Sequence, residues 1–192
     1  MKPDRDPKAD GHRLQRWVDS LPEAVATIEA GIGRSVDYCS ESLLTVWEWA
    51  LRHCRAADID PTVPTEHLPP MPEWTALPAH RQAWMVYSVP TLWVLDAVAR
   101  YHAECLLRRI PAFRWVVFDD PTMVTPEDGE LALVLGEQTR RGLYPMNVFP
   151  VRDLTVLATR AVNYGNRSPA ALLDLHKLRF EEAKGVLREI GT

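Results

Sequence analysis

The densest group of side chains that could do chemistry lies at residues 101–105, which read Tyr-His-Ala-Glu-Cys. An imidazole, a carboxylate and a thiol in one short segment suggest a metal site or an acid–base pair. In a helix, however, His102 and Glu104 point about 200° apart, whereas metal ligands on a helix are spaced three or four residues apart. His102 and Cys105 share a side of the helix but supply only two ligands. We therefore predict core or ion-pair roles here, and no metal site.

Glu104 and Asp119 are the carboxylates that an acid–base mechanism would use. Glu104 lies four residues from both Arg100 and Arg108, so an ion pair along a helix explains it without catalysis. Asp119 follows a predicted strand, which is a common position for active-site acids, but Asp119-Asp120-Pro121 is also ordinary turn chemistry. The sequence favours the structural interpretation of both, and we assign no catalytic residue.

Cofactor-binding motifs do not occur in the sequence. There is no Gly-x-Ser-x-Gly elbow, and Gly31-Ile32-Gly33 lacks the third glycine and the preceding strand of a dinucleotide loop. The remaining histidines are scattered without ligand spacing. We predict that the protein uses no cofactor.

Residues 57–80 differ from the rest of the chain, because they are rich in proline and their acidic residues have no Lys or Arg among them up to Pro78. Long connections of this kind are uncommon in compact domains and tend to be functional or mobile. The apolar side chains of Met71, Trp74 and Leu77 predict that the loop packs against the rest of the protein, because a fully solvated linker would leave the Trp indole exposed to water. The candidate binding residues are Trp74, Met71, Glu66 and Glu73.

The element that must organise these candidates is a helix predicted over residues 88–110. Ser88 can cap its first turn, Pro90 suits a first-turn position, and Pro111 ends it. Its polar residues form one stripe with alternating charge, and nearly everything else is apolar, which indicates a central helix packed on several sides. The stripe consists of Asp96, Arg100, Glu104 and Arg108.

The other elements predict an α+β protein with four or five helices around a small antiparallel sheet of two or three strands. Capping signals start helices near residues 20, 40 and 168, and Pro150 opens another. Strands are predicted at 113–118 and 131–135, with a short third at 146–149. We divide this single domain into a disordered tail (1–11), an N-terminal helical part (12–56), a Pro-rich acidic loop (57–80) and an α+β body (81–192).

Composition limits the class of partner. The net charge of -4 argues against nucleic acid, which attracts basic proteins. The seven Trp residues slightly favour a binding surface. Three cysteines, two of them in apolar helical patterns, indicate a reducing compartment. The charged N-terminus lacks the apolar core of a signal peptide, and no apolar run is long enough to span a bilayer. We therefore expect a cytoplasmic protein that binds neither nucleic acid nor membrane.

The order of segments resembles a loose set of small uncharacterised bacterial proteins of the immunity or accessory type. The resemblance rests on a Ser-Leu helix start at residues 40–44, the Tyr101-x-x-Glu104 helix, the strand with Trp115, and Val148-Phe149-Pro150. It covers roughly residues 36–162, and it implies that Tyr101, Glu104 and Trp115 form a structural signature at the helix–strand junction. In those relatives the helix reads Tyr-x-Gly-Glu, whereas this chain has Ala103.

Three functional hypotheses follow. The preferred one is noncatalytic protein binding, as an immunity protein that neutralises a toxin or as an accessory subunit. The second is a small enzyme whose pocket lies between the N-terminal helical part and the sheet, with Glu104, Asp119 or His102 as acid or base. The third is a homo-oligomeric structural component joined through the C-terminal helix.

Overall fold

The structure is a computed structural model that describes residues 6–60, 67–120, 125, 127–139 and 143–191. These residues form six helices of twelve residues or more and a three-stranded antiparallel sheet, which confirms the predicted α+β class. A 3-10 turn spans Glu73–Ala76. In chain order the helices are α1 (Pro7–Asp19), α2 (Leu21–Ile32), α3 (Ser42–His53), the single turn α4 (Ala83–Val86), α5 (Val89–Arg109), α6 (Pro150–Asn163) and α7 (Ala171–Ile190).

Helix α5 is the centre of the fold, as its apolar circumference predicted. It contacts α2, α3, α4, α6 and α7. Leu95, Val98 and Leu106 are excluded from solvent, whereas Trp93 is half exposed. Ser88 precedes the helix in an extended conformation, but its hydroxyl bonds to the Thr91 hydroxyl and caps no backbone amide. The predicted start is therefore confirmed, although the capping bond is not made.

The sheet has the order β1 (Arg114–Val117), β2 (Leu131–Leu135), β3 (Met146–Val148), with both pairs antiparallel. Every residue of β2 is buried, because both faces of the sheet are covered. Leu133 and Leu135 belong to an apolar cluster with residues of α5 and α7, and Ala132 and Val134 belong to a smaller one with Phe118. The continuous apolar run of β2 reflects this two-sided burial.

The N-terminal prediction is wrong for residues 7–11, which form the start of α1 instead of a disordered tail. The Asp6 carboxylate accepts a hydrogen bond from the Lys8 amide at 2.9 Å, and Pro7 occupies the first turn. These are ordinary start signals that the mixed charge of the segment obscured. Helix α1 then packs Trp17 edge-on against Trp115 of β1, with ring centroids 6.1 Å apart. Residues 1–5 lie outside the described residues.

The C-terminal helix α7 docks onto the body of the same chain. It contacts α3, α5, α6 and β3, and its buried residues Leu172, His176 and Ala183 face these elements. The buried apolar side chains of α7 are thus used within the chain. In the described part of the chain no helix combines the length and the apolar character needed to cross a membrane.

Candidate functional site

A cleft of about 400 Å³ lies between helices α1 and α2, the 3-10 turn, helix α5 and strand β2. Its floor consists of the polar side chains His80, Asp96, Arg100 and Glu130. Its apolar walls are Trp17, Trp74, Leu77, Leu131 and Val151. Its exposed rim carries Arg16, Asp19, Glu23 and Glu73. The volume is within the usual range for small-molecule sites, and a largely apolar wall around a few convergent polar groups is typical of them.

His80 and Glu130 form a buried pair on the floor of the cleft. The His80 Nε2 and Glu130 Oε2 atoms are 3.1 Å apart, and the two side chains are only 6% and 3% exposed. The second carboxylate oxygen of Glu130, Oε1, is buried and has no hydrogen-bond partner among the described residues. A buried carboxylate oxygen without a hydrogen bond destabilises the folded state, and a hydrogen-bond donor on a ligand would offset that cost. Oε1 is therefore a candidate contact for a ligand.

Local structure holds both members of the pair in place. Glu130 immediately precedes β2, its amide donates to the Glu127 carbonyl, and its carbonyl accepts from the Phe118 amide, each at 2.8 Å. The turn before it needs Gly129, whose φ of 95° is unfavourable for other residues. The His80 ring packs edge-on against Trp74, with centroids 5.2 Å apart.

Asp96, which is buried, and Arg100, which is mostly buried, form a second pair one turn apart on α5. Arg100 Nε donates to Asp96 Oδ2 at 3.0 Å, and Nη2 lies 3.3 Å from Oδ1. The remaining nitrogen, Nη1, donates to the Trp17 carbonyl at 2.8 Å and to the Ser20 hydroxyl. Burial raises the pKa of Asp96, and the Arg100 guanidinium partly opposes that rise. This pair therefore ties α5 to the α1–α2 junction.

The rim adds an exposed ion pair at the cleft entrance. Arg16 Nη2 and Glu73 Oε1 are 2.7 Å apart, and the two side chains are 62% and 57% exposed. Deeper on the same side, Arg13 donates to the Gly129 carbonyl and lies 3.4 Å from Asp10. Helix α1, whose first turns the sequence had assigned to a tail, thus closes one side of the cleft.

The three residues that the enzyme hypothesis named do not meet. His102 is completely buried between α5 and α7, Glu104 pairs with Arg108 at 2.6 Å on another side of α5, and Asp119 is exposed beyond the end of β1. None of them lines the cleft. The pocket itself lies where that hypothesis placed it, between the N-terminal helices and the sheet, but it is built from other residues.

His102 packs against a second buried histidine. Its ring meets that of His176 edge to face at 5.5 Å, and the four ring nitrogens have no hydrogen-bond partner among the described residues. Burial lowers the pKa of His102 to about 3 and that of His176 to about 4. Both rings are therefore neutral near pH 7 and act as core side chains.

The candidate binding residues of the Pro-rich loop have different environments. Trp74 is buried in the cleft wall and Glu73 is exposed on the rim. Met71 is half buried against the main core, so the loop packs down as predicted, at least over its described part. Glu66 lies outside the described residues.

The three signature residues divide between two places. The Tyr101 hydroxyl lies 2.5 Å from the Ser42 hydroxyl and accepts from the Tyr38 amide at 3.1 Å. Glu104 holds Arg108, whose guanidinium lies 3.8 Å from the centre of the Tyr38 ring. Both therefore stabilise the loop between α2 and α3, where Tyr38 has a positive φ of 59°. Trp115 instead packs against Trp17 of α1.

The sequence analysis missed the residues of the cleft floor. His80 and Glu130 are fifty residues apart, and no spacing rule connects them. Asp96 and Arg100 were recognised only as members of a charged stripe. The one available signal was that Asp96 lies on a helix that is apolar on nearly every other side. A carboxylate that is buried on such a helix is almost always paired with a charged or polar partner.

Among the described residues, no three His, Cys, Asp or Glu side chains are grouped so that they could hold a metal ion. A scan against protein-family models, a search of curated proteins and a search of solved structures found no match. The resemblance to small bacterial immunity-type proteins stays an interpretation of the sequence.

Proposed function

We propose that this protein is a noncatalytic binding factor whose ligand is a small organic molecule held in the cleft. The observation that carries the proposal is the side chain of Glu130, which lines the cleft and whose buried Oε1 atom lacks a hydrogen-bond partner among the described residues. The apolar walls offer burial to a ligand, and the floor offers a fixed polar contact, which together favour orientation and specificity.

Blocking the cleft tests this proposal. Leu77→Trp replaces a half-buried wall residue with a larger one, and Leu178→Trp makes the same change at an exposed position on α7, away from the cleft. Saturation-transfer NMR with a fragment collection should detect ligands of the wild-type protein that Leu77→Trp loses and Leu178→Trp retains. The absence of any ligand, or ligands that Leu77→Trp binds as well as wild type, would contradict the proposal. Circular dichroism confirms that both variants are folded.

A second candidate function is proton transfer by the His80–Glu130 pair. An imidazole hydrogen-bonded to a carboxylate in a cleft is an arrangement that acid–base enzymes use. This hypothesis keeps the pocket of the earlier enzyme hypothesis and replaces its residues. If the wild-type protein chemically converts a ligand found by NMR and the His80→Asn variant leaves that ligand unconverted, the result would favour proton transfer over simple binding.

Protein binding, the role preferred on sequence grounds, stays a proposal. It is supported by the exposed Glu73 on the rim and by Trp93, which is 46% exposed beside the cleft entrance. The burial of Trp74 works against it, because that side chain packs inside the chain. A toxin or parent subunit would be recovered in stoichiometric amount by affinity purification from the host, and Trp93→Ser should abolish the recovery. Oligomerisation through α7 would have to use its outer face, where Leu178 is exposed.

A further inference from the structure

We infer that the cleft selects an organic cation, with an ammonium group that bonds to Glu130 Oε1 and an apolar body that lies against the walls. This inference rests on the proposed binding function and specifies its ligand. Glu130 Oε2 already bonds to His80, so Oε1 is the atom that remains for a ligand. A carboxylate oxygen only accepts hydrogen bonds, and bonds from a charged donor are the stronger kind.

The charges around the cleft favour a cation over an anion. The lining contains five carboxylates, from Asp19, Glu23, Glu73, Asp96 and Glu130, and three arginines. Each of these arginines already pairs with a carboxylate of the chain, which offsets its positive charge and weakens its attraction for an anion. Arg100 donates to Asp96, Ser20 and the Trp17 carbonyl, and Arg16 donates to Glu73. Arg13 donates to the Gly129 carbonyl and pairs with Asp10.

Because Glu130 is buried, it should favour a bound cation more strongly than a carboxylate on the surface could. The side chain is 3% exposed, so salt screens its interaction with a bound ammonium far less than that of a rim carboxylate. The neighbouring walls, Trp74, Leu77, Leu131 and Val151, offer no hydrogen-bond acceptor of comparable strength to compete for the same group. The ammonium is therefore expected to lie at the floor and the apolar body toward the rim.

Three probes with the same phenyl body test the inference by isothermal titration calorimetry. They are 2-phenylethylamine, 2-phenylethanol and 3-phenylpropanoate. The amine should bind the wild-type protein at least about tenfold more tightly than the alcohol, as expected for a charged hydrogen bond, and the carboxylate should bind most weakly. An alcohol that binds as tightly as the amine, or an amine that does not bind at millimolar concentration, overturns the inference.

Two matched variants locate the contact. Glu130→Gln keeps the side-chain volume and an oxygen for His80, and it should remove the advantage of the amine over the alcohol. Glu48→Gln makes the same change at an exposed position on α3, outside the cleft, and should alter amine affinity by less than about threefold, because salt screens exposed charges. An unchanged amine preference in Glu130→Gln, or a larger loss in Glu48→Gln, overturns the assignment to Glu130.

The two proposals fail in different ways. If the cleft-blocking variant Leu77→Trp loses neutral or anionic fragments while the amine shows no preference, the binding function survives and the cation inference is wrong. If no fragment binds in the cleft at all, both are wrong. Should Glu130→Gln not fold, the comparison of the three probes on wild-type protein still decides the inference.

Discussion

The rings of His102 and His176 meet edge to face at 5.5 Å inside the interface between α5 and α7, and both side chains are fully excluded from solvent. Burial is the main cause that lowers both pKa values, to about 3 for His102 and about 4 for His176. The neighbouring His176 and Arg179 lower the pKa of His102 further, and Arg109 lowers that of His176. The core of the protein therefore contains two groups that resist protonation while the chain is folded.

This pair predicts acid sensitivity. In the unfolded chain both imidazoles bind protons below about pH 6.5, whereas the folded chain binds them only near pH 4 and below. The free energy of unfolding should thus fall as the pH drops from about 6.5 toward 4, by at most about 1.4 kcal/mol per pH unit for each ring. Urea unfolding of wild type and of His102→Leu/His176→Leu at pH 7 and 4.5 measures this.

The double variant should lose less stability between the two pH values than wild type does, because the carboxylates that titrate there are common to both proteins. His67→Gln, which changes an exposed histidine, should behave like wild type. Equal pH dependence of the double variant and wild type would show that the two rings do not oppose protonation.

Arg100 should contribute much more to stability than Arg16 does, because its ion pair is largely buried. Removing it in Arg100→Ala leaves the Asp96 carboxylate buried without its partner, and such a loss typically costs about 3–5 kcal/mol. Arg16→Ala breaks an ion pair of similar length that is more than half exposed, and should cost about 0–1 kcal/mol. Guanidinium unfolding measures both. Comparable losses in the two variants would contradict the role assigned to the buried pair.

Two helical glycines should respond to alanine in opposite directions. A Cβ at Gly31 of α2 would lie closer than 3.0 Å to three atoms of the Trp49 indole, so Gly31→Ala should destabilise by about 1–3 kcal/mol through overpacking. At Gly185 of α7 nothing lies within 4 Å of the added Cβ, and Gly185→Ala should stabilise by about 0.5–1 kcal/mol. Thermal and urea unfolding distinguish the signs. A stable Gly31→Ala would mean that α2 and α3 are packed less closely than described.

The three cysteines should differ in reactivity. Burial raises the pKa of Cys54 to about 11 and that of Cys105 to about 12, so neither forms much thiolate at pH 8. Cys39 is only half buried, although a hydrogen bond with Asp37 raises its pKa as well. Ellman's reagent should react slowly with one thiol in the native protein and with all three after unfolding. Cys39→Ser should remove the native reaction, and rapid reaction of two thiols in wild type would contradict the burial of Cys54 and Cys105.

Helix α1 and Trp74 show which local signals in the sequence predict burial. The mixed charge of residues 7–11 suggested a tail, but the Asp6 cap and Pro7 begin a helix whose Trp17 finds a partner on β1. Trp74 suggested a loop that packs down, and it does so by forming a cleft wall. In both cases the Trp side chain was the reliable signal. The free energy gained by burying an indole outweighs the free energy that the flanking polar residues gain from contact with water.

The sequence by itself determined most of the elements, since caps, prolines and apolar periods are local properties of the chain. The start of α6 at Pro150, the central position of α5 and the three strands near residues 114, 131 and 146 were all accessible in this way. Only the tertiary structure decided which polar groups share the cleft. His80, Asp96 and Glu130 come from three separate segments, and their meeting depends on how helices and sheet pack over long sequence distances, which no local spacing encodes.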